Sequence, residues 1–187
     1  MSEFEVTNAI LDDWADIKQL VLQLGDSKFS AIVGATPEEA QGFLINSITH
    51  PAGVGLLLLR WQGRAVGLCA LMAMNSPKPG TLGVYAETQV HCFIHSVYIR
   101  PSYGDGQWAT KVPPEGGNHM MLGIEEWARA RRAVWIYGNV RLDGRFGGFW
   151  RKFGMGAQHG VAGKGVSPGV EELPGLELHQ VVVGKEV

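Results

Sequence analysis

The stretch QVHCFIHSVYIR, residues 89–100, is followed by Pro101 and alternates between two sets of side chains, as a β-strand does. One face carries the odd-numbered residues His91, Phe93, His95, Val97 and Ile99, and the other carries Cys92, Ile94, Ser96, Tyr98 and Arg100. Proline has no backbone N–H for a sheet, so Pro101 should end the strand. The sequence therefore predicts a strand that carries two histidines on one face.

Upstream of this strand, the pattern predicts a strand, two helices and a hairpin. The clearest signal is Thr36-Pro37-Glu38-Glu39, which has Thr at the N-cap, Pro at N1 and Glu at N3 of a helix. That helix should end before Pro51. The other predicted elements are a strand over 4–10, a helix over 12–24 that Gly25 stops, and apolar strands over 55–61 and 65–74 joined by the turn 62–64.

Downstream, a loop rich in glycine and proline over 102–117 precedes a predicted helix over 118–132 and a strand over 133–140. A short helix should follow Asp143, and two last strands are predicted at about 157–162 and 176–183. This order of elements predicts an α/β chain with a central mixed β-sheet and helices on both faces. With 187 residues, we expect one domain over 1–187.

The composition narrows the class of protein. The formal net charge is -2, with 45% hydrophobic and 18% charged residues, which is a globular composition without a nucleic-acid footprint in the total charge. The two cysteines, Cys69 and Cys92, lie in apolar runs and give no sign of a disulfide scaffold. Residues 1–5 are acidic, and the longest uncharged apolar run, 65–75, is too short to cross a membrane. We therefore expect a cytoplasmic protein with no membrane partner.

Three segments within about 89–156 give the chain a resemblance to the GNAT acetyltransferase superfamily, as does its order of elements. The first is SVYIRPSY, residues 96–103, which resembles the family's fourth strand and its exit. In that family the strand splays from the next one, and its backbone holds the pantetheine arm of acetyl-CoA and polarises the acetyl carbonyl. The resemblance implies this cofactor-binding role for Val97, Tyr98 and Ile99.

The second segment, GGNHMMLGIEEWARAR at residues 116–131, resembles the family's pyrophosphate loop and the helix that it opens. Free N–H groups at a helix start, together with the helix dipole, favour a phosphate. The resemblance implies that cofactor-binding residues cluster here: Gly116, Gly117, Asn118, His119 and Met120. The pattern departs from the family at Val112 and Glu115, where Gln or Arg and Gly are usual.

The third segment, FWRKFGM at residues 149–155, resembles the family's late helix. It implies cofactor contacts for Phe149 and Trp150, and for Asp143, which stands where the family often has Asn. Trp150 takes the place of the family's frequent Tyr, which can protonate the departing thiolate. An indole N–H cannot supply that proton near neutral pH.

The implied activity is transfer of the acetyl group of acetyl-CoA to a primary amine by direct attack. His95 is the first candidate for the general base and His91 the second, because imidazole accepts protons near neutral pH. The alternative for each is a hydrogen-bonded histidine with a structural role. We expect no metal, because Cys92 points away from the face that His91 and His95 share.

Two other functions stay open. One is a catalytically weak or inactive protein of the same fold that binds acyl-CoA, suggested by Glu115 and Trp150. The other is a transferase that acts on a nucleic-acid base or a protein partner, suggested by the aromatic and arginine residues over 137–152. The expected partners are a small-molecule or protein amine acceptor, and the expected state is a monomer or a homodimer.

Overall fold

The computed structural model describes residues 3–26, 36–76, 88–100, 112–141, 156–159 and 180–186. The helix predicted after Asp143, with Phe149 and Trp150, lies outside the described residues. The described elements are β1 (Phe4–Asn8), a 3-10 turn (Leu11–Asp13), α1 (Trp14–Asp26), α2 (Pro37–Thr49), β2 (Val54–Trp61), β3 (Arg64–Ser76), β4 (Gln89–Ile99), α3 (Gly116–Ala130), β5 (Trp135–Arg141), β6 (Gly156–His159) and β7 (Gln180–Glu186).

The chain divides into two compact units. Unit 1 comprises Met1–Met72 and His95–Trp127, and unit 2 comprises Ala73–Ile94 and Ala128–Val187, so β3 and β4 each supply residues to both. In unit 1 the strand order is β1-β2-β3-β4, and in unit 2 it is β4-β5-β7-β6. The pair β4–β5 is parallel, whereas β1–β2, β2–β3, β5–β7 and β6–β7 are antiparallel. The predicted mixed sheet is thus confirmed, and the single domain stays a prediction.

One face of the sheet in unit 1 packs against α1 and α2. Leu56 and Leu58 of β2 lie in the same buried cluster as Leu20 of α1 and Leu44 of α2, and all four are at most 1% exposed. Tyr98 of β4 joins this cluster with its aromatic side chain. Burial of such large apolar side chains contributes roughly 1.5–3 kcal/mol each.

The other face of the sheet in unit 1 packs against α3. A Cβ atom on Gly116 would lie 3.4 Å from Leu59, and one on Gly55 would collide with the indole of Trp127. Leu58 and Leu59 are adjacent in β2, so their side chains point to opposite faces of the sheet. The contacts of Leu59 therefore lie on the face opposite to α1 and α2. The predicted packing of helices on both faces is therefore confirmed within unit 1.

The sequence predicted the start of α2 correctly and the start of α3 incorrectly. The capping box is confirmed: Thr36 Oγ1 accepts from the N–H of Glu39 at 3.2 Å, and Glu39 Oε2 accepts from the N–H of Thr36 at 3.1 Å. However, α3 begins at Gly116, two residues before the predicted start, so Gly116 and Gly117 belong to its first turn rather than to a loop. No helix among the described residues is long and apolar enough to cross a membrane.

Two helical glycines provide a matched test of this packing. A Cβ on Gly123 of α3 would lie 2.5 Å from Cγ1 of Val6, whereas a Cβ on Gly42 of α2 would have no atom within 4 Å. We expect Gly42→Ala to raise the free energy of unfolding by about 0.5–1 kcal/mol, because alanine loses less backbone entropy in a helix. Gly123→Ala should lower it by about 1–3 kcal/mol through overpacking.

Urea denaturation of both variants and the parent chain measures this difference. Equal stabilisation by the two substitutions would contradict the packing of α3 on β1.

Candidate active site

Strand β4 carries both candidate bases and the predicted pantetheine-binding residues. From Cys92 to Ile99 the burial alternates as the sequence predicts: the even-numbered residues are buried and the odd-numbered ones are half-buried. Tyr98 is 7% exposed and its ring lies in the core of unit 1, so its side chain is not available to a ligand. The half-buried Val97 and Ile99 leave part of one strand face accessible.

The pairing of β4 changes along its length. Its parallel pairing with β5 covers four residues, His91–Ile94 against Trp135–Gly138. The strand then continues for five further residues to Ile99. At its end, the N–H of Arg100 donates to the carbonyl of Val66 at 2.8 Å, which holds this end of the strand to β3.

His95 lies half-buried against α2. The centroid of its ring is 4.8 Å from that of Phe43, and the two planes are inclined by 49°. Phe43 itself packs against the core cluster that contains Tyr98. Strict alternation along β4 would put His95 and Tyr98 on opposite faces, so it does not predict this contact. The sequence identified Phe43 only as part of the apolar face of a helix, and nothing local indicated its position beside His95.

His91 has a different environment, within unit 2. It is fully buried, with 0% exposure, and neither ring nitrogen has a hydrogen-bond partner among the described residues. The ring of Tyr137 meets it edge-on, at a centroid distance of 6.0 Å and an angle of 83°. Burial lowers the pKa of His91, which favours the neutral imidazole. Among the described residues, His91 therefore lacks the hydrogen bond that a structural histidine would form, and its burial does not favour proton exchange with an acceptor.

The first turn of α3 contains the predicted pyrophosphate-binding residues. The N–H of Gly116 donates to the carbonyl of Pro113 at 3.1 Å. The carbonyl of Glu115 accepts from the N–H groups of Asn118 and His119 at 2.9 and 3.2 Å. A Cβ on Gly116 would lie 3.1 Å from the ring of Phe4, so close packing on β1 is a structural reason for this glycine.

The side chains of this turn mostly face protein. Met120 is 0% exposed, and the ring of His119 stacks on Phe4 at a centroid distance of 5.1 Å. Gly117 is buried and Asn118 is half-buried. Glu115 is exposed at the helix start, where a carboxylate is favourable for the helix dipole. An anionic ligand at this turn would therefore depend on the helix dipole and the N–H of Gly117, since the N–H groups of Gly116, Asn118 and His119 are engaged, and it would be repelled by Glu115.

The Cys92 thiol is not activated as a nucleophile. Burial raises the pKa of Cys92 to about 12, so its thiol stays protonated at neutral pH. Cys69 is likewise buried, and both cysteines are free. Among the described residues, no group of three His, Cys, Asp or Glu side chains is arranged to hold a metal ion.

No protein-family model matches the sequence, and no curated protein is similar to it. Solved structures do match it. A GNAT-family acetyltransferase from Streptococcus pneumoniae aligns with 98% of this chain and 99% of its own, at a TM-score of 0.62 and 16% identity. The PaiA N-acetyltransferase of Thermoplasma acidophilum, in complex with coenzyme A, aligns over 100% of both chains, at a TM-score of 0.61 and 10% identity.

A third match is the ribosomal-protein-S5-alanine acetyltransferase of Vibrio fischeri. It aligns with 100% of this chain and 94% of its own, at a TM-score of 0.64 and 10% identity. Because the three likenesses extend over nearly the whole chain, they define the architecture. The chain has the fold of the GNAT acetyltransferases.

The buried His91 makes stability dependent on pH. Its pKa is lower in the folded than in the unfolded state, so below about pH 6.5 the unfolded chain binds a proton that the native chain does not. Stability should therefore fall as the pH falls. We expect the loss of unfolding free energy between pH 7.5 and 5.5 to be smaller in His91→Phe than in the parent chain.

Urea denaturation at the two pH values measures this loss. His50→Phe, at the exposed end of α2, is the matched control and should behave as the parent chain does. The same loss in His91→Phe and the parent chain would mean that His91 is not the titrating group.

Proposed function

We propose that this chain is an acetyltransferase of the GNAT superfamily that transfers the acetyl group of acetyl-CoA to a primary amine by direct attack. The observation that carries the proposal is the course of β4, which pairs in parallel with β5 for four residues and then continues to Ile99. A strand with this course, followed by a helix that starts with two glycines, fits the family pattern that the sequence resembles. The PaiA enzyme's complex with coenzyme A supports the choice of cofactor.

In this proposal, the backbone does most of the cofactor binding. Backbone groups of Val97 and Ile99 would hold the pantetheine arm. The carbonyl of Tyr98 lies against Gly67 of β3 and its ring is committed to the core, so a cofactor contact by Tyr98 stays a prediction from the resemblance. The first turn of α3 would face the pyrophosphate with its helix dipole and the N–H of Gly117, because the N–H groups of Gly116, Asn118 and His119 donate to protein carbonyls and the side chains of His119 and Met120 pack against protein. The cofactor contacts implied for the remaining residues stay predictions from the resemblance: Gly116, Gly117, Asn118, Asp143, Phe149 and Trp150.

Two effects would lower the barrier for acetyl transfer. Holding the thioester and the amine together removes the entropic cost of bringing them together during the reaction. Backbone N–H groups between Val97 and Ile99 would stabilise the oxyanion that develops on the thioester carbonyl. The amine nitrogen forms the new bond to the carbonyl carbon and gives up a proton to a base. The carbon–sulfur bond breaks with its electron pair on sulfur, and the CoA thiolate that leaves takes a proton from water.

We infer that His95, rather than His91, accepts this proton. His95 is half-buried, and its contact with Phe43 orients the ring. His91 is fully buried with a lowered pKa, so an amine in solution cannot reach it without opening the structure. The proton would pass to His95 directly or through water.

The alternative of a weak or inactive acyl-CoA-binding protein is favoured by one observation. The exposed carboxylate of Glu115 stands at the start of α3, where it opposes a pyrophosphate. The alternatives with a nucleic-acid base or a protein as acceptor stay predictions, because most of residues 137–152 lies outside the described residues. The cytoplasmic location and a monomeric or homodimeric state are likewise proposals from the sequence.

Calorimetric titration with acetyl-CoA, paired with an assay of thiol release over a panel of primary amines, tests the activity. We expect binding of acetyl-CoA and amine-dependent release of free CoA. Binding without turnover on any amine would favour the acyl-CoA-binding alternative. Absence of binding by both acetyl-CoA and CoA would contradict both functions.

The role of His95 has its own test. His95→Ala should lower kcat by about 10²-fold at pH 7, because no base then takes the proton. The Kd for acetyl-CoA should change less than about twofold, since the cofactor contacts are backbone groups. His50→Ala, at the exposed end of α2, is the control and should retain the parent rate. An unchanged kcat in His95→Ala would remove this histidine from the mechanism.

A further inference from the structure

Strand β1 is an edge strand of the sheet in unit 1. It comes first in the order β1-β2-β3-β4, and β2 is its pairing partner among the described strands. Its five residues contain no proline, and its register with β2 runs from Phe4 to Asn8 without a bulge. Proline and bulges are two of the devices that keep an edge strand from pairing with another chain. The edge of β1 therefore has a form that can accept a further strand.

The hydrogen bonds to β2 determine which backbone groups of β1 point outwards. The carbonyl of Glu3 accepts from the N–H of Gln62 at 3.0 Å, and the N–H of Ala9 donates to a carbonyl of β2 at 2.8 Å. In an antiparallel pair, residues that bond to the partner strand alternate with residues that point away from it. Odd-numbered residues therefore bond to β2, and the N–H and C=O groups of the even-numbered Val6 and Asn8 point outwards.

Exposed apolar side chains lie beside this edge. Leu11 is 63% exposed, Ile10 56% and Leu122 54%, and these are the most exposed large apolar side chains among the described residues. Ile10 and Leu11 follow β1 directly in the chain. Leu122 precedes Gly123 of α3, at which a Cβ would lie 2.5 Å from Cγ1 of Val6. An exposed apolar surface that adjoins a strand edge is typical of a contact with another protein chain.

A second copy of the chain fits this edge, because the edge is complementary to itself. When two β1 strands pair antiparallel about a two-fold axis at Val6, the two Val6 residues exchange N–H···O=C hydrogen bonds. Each Asn8 then stands opposite Phe4 of the second copy. On the other face of the strand, Glu5 stands opposite Thr7 of the second copy, so this register sets no two carboxylates directly opposite each other.

The position of α3 fits the same two-fold axis. Helix α3 lies across both β1 and β2, because a Cβ on Gly116 would lie 3.1 Å from Phe4 and 3.4 Å from Leu59. With strands about 4.8 Å apart, the two α3 helices of such a dimer lie roughly two strand spacings, or about 10 Å, from each other. Packed helices have axes about 8–10 Å apart. The strand pairing therefore also brings the two helices into contact, along the side that carries Gly123.

Antiparallel α3 helices match each other in charge as well. An axis beside Gly123 places the exposed Glu126 opposite His119 of the second copy rather than opposite another carboxylate. Leu122 then lies next to its counterpart in the second copy. An extended peptide from another protein would satisfy the strand edge alone, whereas a second copy satisfies the strand edge and the helix together. The partner that this surface fits best is therefore a second copy of the chain.

We propose that two copies of the chain form a two-fold symmetric dimer, by antiparallel pairing of their β1 strands and packing of α3 against α3. Strands β2 and β3 separate β1 from β4, so the dimer leaves the proposed site on β4 open. The interface comprises one strand edge and one helix side. Because such an interface is small, the dimer dissociates in the micromolar range. The proposal does not depend on acetyl transfer.

Sedimentation velocity of the full chain over a range of concentrations tests the association. We expect a shift from monomer to dimer as the concentration rises. Leu122→Gln should weaken the dimer about tenfold, because an apolar contact is lost from the interface. Leu22→Gln, on α1 and 52% exposed, is the matched control and should leave the dissociation constant unchanged. Asn8→Pro should also weaken the dimer about tenfold, because it removes an outward N–H but no hydrogen bond to β2.

Disulfides introduced across the interface test the register. Residues opposite each other in a pair without backbone hydrogen bonds have Cα atoms about 4.5 Å apart, which suits a disulfide. The double variant with Glu5→Cys and Thr7→Cys should therefore form a covalent dimer under mild oxidation. The control with Glu5→Cys and Asn8→Cys should run as a monomer in denaturing electrophoresis, because its two cysteines lie on opposite faces of the strand.

A chain that sediments as a monomer at every soluble concentration would overturn the proposal. A dimer that neither Leu122→Gln nor Asn8→Pro weakens would overturn it too, as would a dimer that the Glu5→Cys and Thr7→Cys variant does not trap. Thiol release by the parent chain and by Leu122→Gln measures the acetyl transfer separately. Failure of the dimer and failure of the proposed activity are therefore distinguishable.

Discussion

The short parallel pairing between β4 and β5 is the constraint on which the rest of the structure depends. Two parallel strands cannot be joined by a tight turn, so the chain needs a crossover, and α3 supplies it. The start of that helix therefore follows the carboxyl end of β4, where open α/β sheets commonly bind ligands. Residues His95 to Ile99 lie at this end of the strand, so one topological requirement sets the positions of both parts of the proposed cofactor site.

Local signals in the sequence predicted much of this architecture. The alternation over residues 89–100 gave β4 nearly to the residue, and the capping box gave the start of α2, because both depend only on neighbouring residues. The predicted start of α3, at residue 118, was wrong by two residues. Glycine is a poor helix former, but a Cβ at Gly116 would lie 3.1 Å from Phe4 and 3.4 Å from Leu59, so close packing favours glycine at this position, and such packing is not visible in a local pattern.

The candidate site was less predictable than the fold. The alternating pattern predicted that His91 and His95 share one face of β4. In the structure, His91 is fully buried beside Tyr137, whereas His95 is half-buried beside Phe43. The difference comes from what covers each part of β4, which depends on residues distant in sequence. At 10–16% sequence identity, the similarity to GNAT structures shows the fold alone. The choice of acceptor depends on individual side chains, and these are not preserved at such low identity.

A crystal structure of the chain with coenzyme A tests the central claim most directly. The account predicts that the pantetheine arm lies along Val97 to Ile99, that the pyrophosphate lies at the first turn of α3, and that the sulfur lies within reach of His95. A coenzyme bound elsewhere, with the backbone of Val97 to Ile99 still free of contact, would contradict the account.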